Sequence, residues 1–324
     1  ENVMGPATRY LQIIFVGLVP VMVYNMGSAV LRSVGDSVRP FNFLAIAAGL
    51  NIVLDLFFVG YLKMGAIGAG IATAIAQSTS GILVIISLMR TTDIYRLRLK
   101  KIRFHKKTLE RIVAIGLPAA ISGGMIGLSN VIIQAKINVF GAQAIAGVAA
   151  ASRIDGFVFT SLEAFALAIT TFVGQNIGAR KPKRLKTGIG TAIIMTLIFV
   201  ASVSSILVIF RHPFMQIFTT DKDVIYFGAK MIGTLAPFYV IFSVTEVLSG
   251  AIRGSGDAIP IMVITLIGMF AIRIGWIIIA MPIYNTIDII YWSYPISWIF
   301  TWALTLVYYF KGKWRKKAME GEIA

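Results

Sequence analysis

Nine apolar runs of bilayer-spanning length follow one another along this chain, at residues 10–32, 40–61, 66–89, 112–139, 144–174, 187–210, 226–251, 259–281 and 288–310. Hydrocarbon offers no water to backbone N–H and C=O groups. A run of about 20 apolar residues therefore crosses it as a helix that satisfies its own backbone. This constraint predicts an all-α, polytopic membrane protein with nine transmembrane helices. Composition agrees: 57% of the 324 residues are hydrophobic, only 14% are charged, and mean hydropathy is +0.83. A soluble domain carries roughly 25% charge.

The formal net charge of +16 would point to nucleic acid in a soluble protein. Here the basic residues cluster between the apolar runs, a topology signal and a means of contact with anionic lipid, so no nucleic-acid partner is expected. Counted over alternate connectors, Lys and Arg gather on one side at 32–39, 90–111, 176–186, 253–257 and from Lys311 to Lys317. That side is predicted to be cytoplasmic. The sequence contains no cysteine, which excludes disulfides and thiolate chemistry. His105 and His212 sit in polar connectors without metal-ligand spacing. No Walker-type Gly-Lys-Ser/Thr is present, so nothing points to use of ATP.

The chain repeats itself. Arg32-Ser33-Val34-Gly35-Asp36 returns as Arg253-Gly254-Ser255-Gly256-Asp257, and each copy is soon followed by proline, Pro40 and Pro260. A duplicated marker in a membrane chain is the signature of a transporter built from two related bundles. The second marker follows the fourth span after the basic segment at 90–111, whereas the first follows only one span. Three further spans are therefore expected ahead of Glu1, and the chain reads as the back part of a twelve-span protein. The expected organisation is residues 1–89 as the second half of an N-terminal six-helix bundle, 90–111 as a basic cytoplasmic linker, 112–310 as a C-terminal six-helix bundle and 311–324 as a basic tail.

Ionisable groups within spans are costly and are functional candidates by default. Asn51 and Asp55 are four residues apart, on one face of a helix. An Asp with an amide oxygen one turn away is a minimal cation site, or a carrier of one proton. Thr73 offers a hydroxyl from the next helix. Glu163, Glu246 and Arg273 lie inside later spans, and pairing of Arg273 with one of the two acids is expected.

Several blocks carry a resemblance to the multidrug and toxic compound extrusion (MATE) family. They are Leu31 to Asp36, Asn51 to Asp55 followed by Gly60, Gly65 to Thr73, and Thr171-Phe172-Val173-Gly174-Gln175-Asn176-Ile177-Gly178-Ala179. Their order, spacing and duplication are specific, and they match about the fourth to the twelfth family helix. The resemblance implies export of amphipathic, often cationic, compounds in exchange for protons or sodium ions. It assigns the coupling ion to Asp55, Asn51 and Thr73, together with a first-helix Asp that precedes this sequence. On the family's seventh helix, residues 112–139 carry Asn130, Gln134 and Lys136 but no acid, which argues against an ion site there. With Glu163, Glu246 and Arg273, the polar residues Asn130 and Gln134 are candidates for substrate contact or a charge network. No cofactor is expected beyond the coupling Na+ or H+, and no metal beyond sodium at Asp55. The expected partners are a small-molecule substrate and the lipid bilayer, for a monomer in a prokaryotic inner membrane.

The alternative in the same superfamily is a flippase for lipid-linked oligosaccharides. Its cavity calls for several mid-membrane Arg and Lys, and the spans hold few beyond Arg273, Lys136 and Arg153. An integral-membrane enzyme would need a cluster of His, Asp and Glu or a nucleophile with its base, and none appears.

Overall fold

The computed structural model describes residues 4–315. All nine runs form helices. In chain order these are α1 (Met4–Ser33), α2 (Val38–Asp55), α3 (Gly65–Arg90), α4 (Lys106–Ile137), α5 (Ala142–Gly178), α6 (Pro182–Ile209), the short α7 (Arg211–Gln216), α8 (Lys222–Leu235), α9 (Tyr239–Gly254), α10 (Ala258–Thr265), α11 (Arg273–Tyr284) and α12 (Ile287–Lys311). A 3-10 turn at Ala236–Phe238 containing Pro237 joins α8 to α9, so the run at 226–251 is one span bent at its proline. Two stretches wind as π-helix, Leu56–Tyr61 after α2 and Leu266–Ile272 between α10 and α11.

Among the described residues, eight helical segments are long and apolar enough to cross a bilayer. The ninth, α12, is long enough at 25 residues but richer in Trp, Tyr and Ser. The difference has a physical reason: Ile290, Tyr291, Ser293, Ser297, Trp298 and Thr301 are buried against neighbouring helices, and those positions need not be lipophilic.

The chain divides into two compact units, one up to Phe104 and one from His105 onward. In the first, α1 and α2 pack on α3 around Leu31, Val84 and Leu88. The α1–α3 approach depends on small residues: a Cβ on Gly27 would lie 2.7 Å from Val84, and one on Gly81 3.1 Å from the Pro20 carbonyl oxygen. In the second, α5 is the central helix, packed against α6, α8 and α9, with α12 against α9 and α11.

The duplicated marker is one turn built twice. In each copy a glycine at positive φ ends a helix, Gly35 at 90° and Gly256 at 85°. Gly35 N–H donates to Arg32 O and Asp36 N–H to Leu31 O, at 2.9 and 3.0 Å; Gly256 N–H donates to Arg253 O and Asp257 N–H to Ile252 O, at 2.9 and 3.3 Å. This is the glycine-terminated helix end that closes the last carbonyls, and only glycine enters that region without strain. The two aspartates then take different partners. Asp36 accepts from the N–H groups of Val38 and Arg39 and from the Arg39 guanidinium, whereas Asp257 accepts from the Tyr308 hydroxyl. Partial desolvation raises the Asp36 pKa, but the backbone and side-chain bonds from Arg39 outweigh it and hold the carboxyl below its ordinary value.

The basic segment at 90–111 is not uniform. Arg90 closes α3, and Lys106 to Arg111 already belong to α4. Its first part folds back on the first unit: Leu97 N–H donates to Leu88 O at 2.9 Å, and the Tyr95 hydroxyl meets Arg39 Nη2 at 3.0 Å. Of the basic tail, residues 316–324 lie outside the described residues.

Candidate functional site

In the first unit, Asn51 and Asp55 occupy the last two turns of α2, which packs on α3, the helix of Thr73. Asn51 Nδ2 and Asp55 Oδ1 are both buried without a hydrogen-bond partner. Leaving such a group unpaired in a dry interior costs about 1–3 kcal/mol. Two orphans one turn apart mark a place where a ligand supplies what the protein does not. Asp55 is also the residue at which α-helical winding gives way to the π turn, a distortion frequent at functional sites. The Thr73 hydroxyl donates to Ala69 O at 2.9 Å, so its lone pairs remain free to accept or to coordinate.

The second unit encloses a cavity of about 870 Å³. Asn130, Gln134, Glu163, Glu246 and Arg273 all line it, from α4, α5, α9 and α11. Asp155, an acid of α5, lines it too. It is 4% exposed and accepts from the Tyr239 hydroxyl. Nothing in the sequence pointed to Tyr239 as its partner, because the two are far apart in the chain.

The acids form two tiers. Asp155 and Glu163 are eight residues apart on α5, about 12 Å along the axis. Tyr239 and Glu246 are seven apart on α9, about 10 Å. Asp155 meets Tyr239 in one tier; Glu163 and Glu246 line the cavity in the other. Aromatic rings wall the space between. Phe159 stands edge-on to Tyr239, Phe242 and Trp298 at 5.8, 5.4 and 6.2 Å, and Tyr294 stands edge-on to Trp298 at 6.0 Å.

The pairing expected of Arg273 is corrected. Glu246 faces Arg253, two turns along its own helix, at 3.8 Å. Glu163 and Arg273 have no ion pair among the described residues. Arg273 instead donates from Nε and Nη2 to Ser297 Oγ at 3.0 and 2.9 Å, and lies over the Tyr294 ring at 4.5 Å. The reason is register: the marker that ends α9 places Arg253 on the Glu246 face, so the acid is served within its own helix. Gln134 donates to Asn138 at 3.0 Å, along the last turn of α4.

The sequence model of the family described as MatE matches residues 1–57 and 118–279. The "Probable multidrug resistance protein YpnP" of Bacillus subtilis is 28% identical over 284 residues, which is 84% of this chain and 61% of that protein. The "Probable multidrug resistance protein NorM" of Thermotoga maritima is 27% identical over 329 residues, 98% of this chain and 69% of that one. The chain thus spans roughly two thirds of the length of these curated relatives. A crystal structure described as the outward-facing conformation of a multidrug resistance MATE family transporter of the MOP superfamily superposes with a TM-score of 0.86 over 97% of this chain and 70% of its own, at 21% identity.

Proposed function

This chain belongs to the MatE family, and on that premise we propose that it works as a secondary antiporter, exporting amphipathic and often cationic compounds in exchange for protons or sodium ions. It is a multi-pass membrane transporter and not an enzyme. We place it in a prokaryotic inner membrane as a monomer.

The observation that carries this reading is the cavity of the second unit. Three carboxylates, Asp155, Glu163 and Glu246, stand among the aromatic rings of Phe159, Phe242, Tyr294 and Trp298. Apolar walls with a few convergent polar groups are what an amphipathic ligand needs, and rings near carboxylates suit a cation. The mixed lining also favours export of drugs over lipid flipping: a pyrophosphate lipid would need a ring of cations, and here two arginines face three acids.

The coupling ion falls to Asp55, with Asn51 one turn before it on α2 and Thr73 on the neighbouring α3. The unpartnered Asp55 Oδ1 supports this. A sodium ion would take oxygen ligands from the Asp55 carboxylate and the Thr73 hydroxyl, with the Asn51 amide turned to present its oxygen. A proton would neutralise Asp55 alone. Coupling then follows if ion and substrate favour opposite states of the transporter.

The test is export of a fluorescent cationic dye by the complete gene product in cells without other pumps. Gradient-dependent efflux that falls on Glu163→Gln and Glu246→Gln is expected. Efflux that persists after both proton and sodium gradients are collapsed would sink the antiport reading. A pH jump and a sodium jump, applied separately to vesicles, tell the two coupling ions apart.

A further inference from the structure

Helix α5 ends in a turn of the same build as the duplicated marker. Arg180 N–H donates to Ile177 O and Lys181 N–H to Asn176 O, both at 2.9 Å, the pattern seen at Gly35–Asp36 and Gly256–Asp257. The residue in the left-handed position is here an arginine, Arg180 at φ 53°. A side chain in that region meets a steric cost that glycine avoids. An outlier of this kind points to a task for the side chain itself.

Arg180 opens a patch of uncompensated positive charge. Lys181, Lys183, Arg184 and Lys186 follow it into the first turns of α6, and all are exposed. At the end of α12 stand Lys311, Lys313 and Arg315, also exposed. The two segments are far apart in the chain, yet packing brings them to one end of the second unit. Leu185 and Ile189 of α6 share an apolar core with Trp314, just past α12, and both helices pack on α9. Trp314 is pinned there: its indole N–H donates to Tyr309 O at 2.9 Å, and its ring lies 4.9 Å from that of Tyr309. Residues 174–192 and 303–315 include no acid, and none of these cations has an ion pair among the described residues. One basic connector is a common topology signal. Two basic arms held at one end of a unit by a shared core are a surface built for an anion.

We propose that these two arms hold the phosphate of an anionic phospholipid, bound as a fixed ligand of the second unit. Charge sets the sign of the ligand. The surface that continues from the cations commits it to lipid. Ile194, Met195 and Ile198 of α6 and Val307 and Phe310 of α12 are exposed apolar side chains. Lys186 and Ile194 are eight residues apart on α6, about 12 Å along the axis. A headgroup at the cations therefore lays its acyl chains along these flanks. A soluble phosphate or an acidic peptide would use the cations and leave the flanks bare. The proposal is independent of what the cavity of this unit carries.

The experiment uses the complete gene product, delipidated in a neutral detergent. Native mass spectrometry counts bound lipid during titration with phosphatidylglycerol or with phosphatidylcholine of the same acyl chains. Wild type should prefer phosphatidylglycerol by about tenfold or more. The triple variant Lys183→Gln, Arg184→Gln, Lys186→Gln should lose about tenfold to a hundredfold in phosphatidylglycerol affinity, and Lys311→Gln with Lys313→Gln about tenfold. The control removes the same charge from exposed cations of the first unit, Arg98→Gln, Lys100→Gln and Lys101→Gln, and should change affinity by less than about threefold. Arg180→Gly separates binding from folding. It should weaken phosphatidylglycerol by about fivefold yet raise the thermal midpoint in lipid-free detergent, because glycine enters the left-handed turn without strain. No preference for phosphatidylglycerol in wild type, equal losses in the control, or a lowered midpoint in Arg180→Gly would overturn the proposal. So would displacement of the bound lipid by millimolar inorganic phosphate, which would make the patch a site for soluble anions.

Discussion

Tyr239 and Asp155 meet across the α5–α9 interface, the phenol hydroxyl donating to a carboxylate that is otherwise enclosed. Tyr239→Phe removes the donor and leaves a buried acid with no partner. The expected loss is about 1–3 kcal/mol, read as a lower thermal unfolding midpoint in detergent. Asp155→Asn keeps an acceptor for the phenol and should lose less. An unchanged midpoint in Tyr239→Phe would remove the pair from the list of interactions that hold α5 to α9.

Helix α9 approaches α5 through Gly250. A Cβ there would stand 2.6 Å from Ala166 O, and the Thr170 hydroxyl bonds Gly250 O at 2.9 Å. Gly250→Val forces the helices apart, with a cost of about 1–3 kcal/mol from overpacking. Gly116, which has nothing within 4 Å of an added Cβ, is the control: Gly116→Ala should be tolerated. Equal behaviour of the two variants in a detergent stability assay would contradict the close crossing.

Asp55→Asn in the complete gene product is expected to abolish gradient-driven dye efflux and to remove the response of equilibrium dye binding to pH or sodium, because ion and substrate favour opposite states. Efflux at the wild-type rate would dismiss Asp55 as the coupling residue. Dye binding that still responds to pH or sodium as in wild type would place the coupling ion elsewhere.

Asp36 gives a pH signature. Its carboxyl is held below its ordinary value in the folded chain, so its stabilising contribution is complete above the unfolded value, near pH 4. It fades as pH falls through the lower folded value. Asp36→Asn should therefore be less stable than wild type at neutral pH, and the gap should narrow as the medium is acidified below about pH 4. A gap that widens on acidification would reverse the sign and refute the Arg39 bonds as its cause.

The spans were legible because apolar length is a one-dimensional property: each of the nine runs became a helix, with ends displaced by a few residues. The duplicated turn was legible because Gly35 and Gly256 perform a backbone task that leaves its mark in sequence. The partners of charged groups were not. Arg273 was expected to seek an acid; it found Ser297 and Tyr294, one helix over, because pairing depends on which faces meet across α11 and α12. The Tyr239–Asp155 bond was hidden for the same reason. The π windings were invisible too, since no residue type requires them. The five polar residues proposed for the second unit do share one cavity, but only packing could say so.

A π turn is an α-helix that has absorbed one residue too many. After Asp55 that surplus sits in Leu56–Tyr61. Deleting one residue there would restore ordinary winding and rotate the preceding carboxylate by roughly 100° about the helix relative to everything beyond. The surplus residue beside Asp55 thus sets the bearing of its carboxylate relative to the rest of the span.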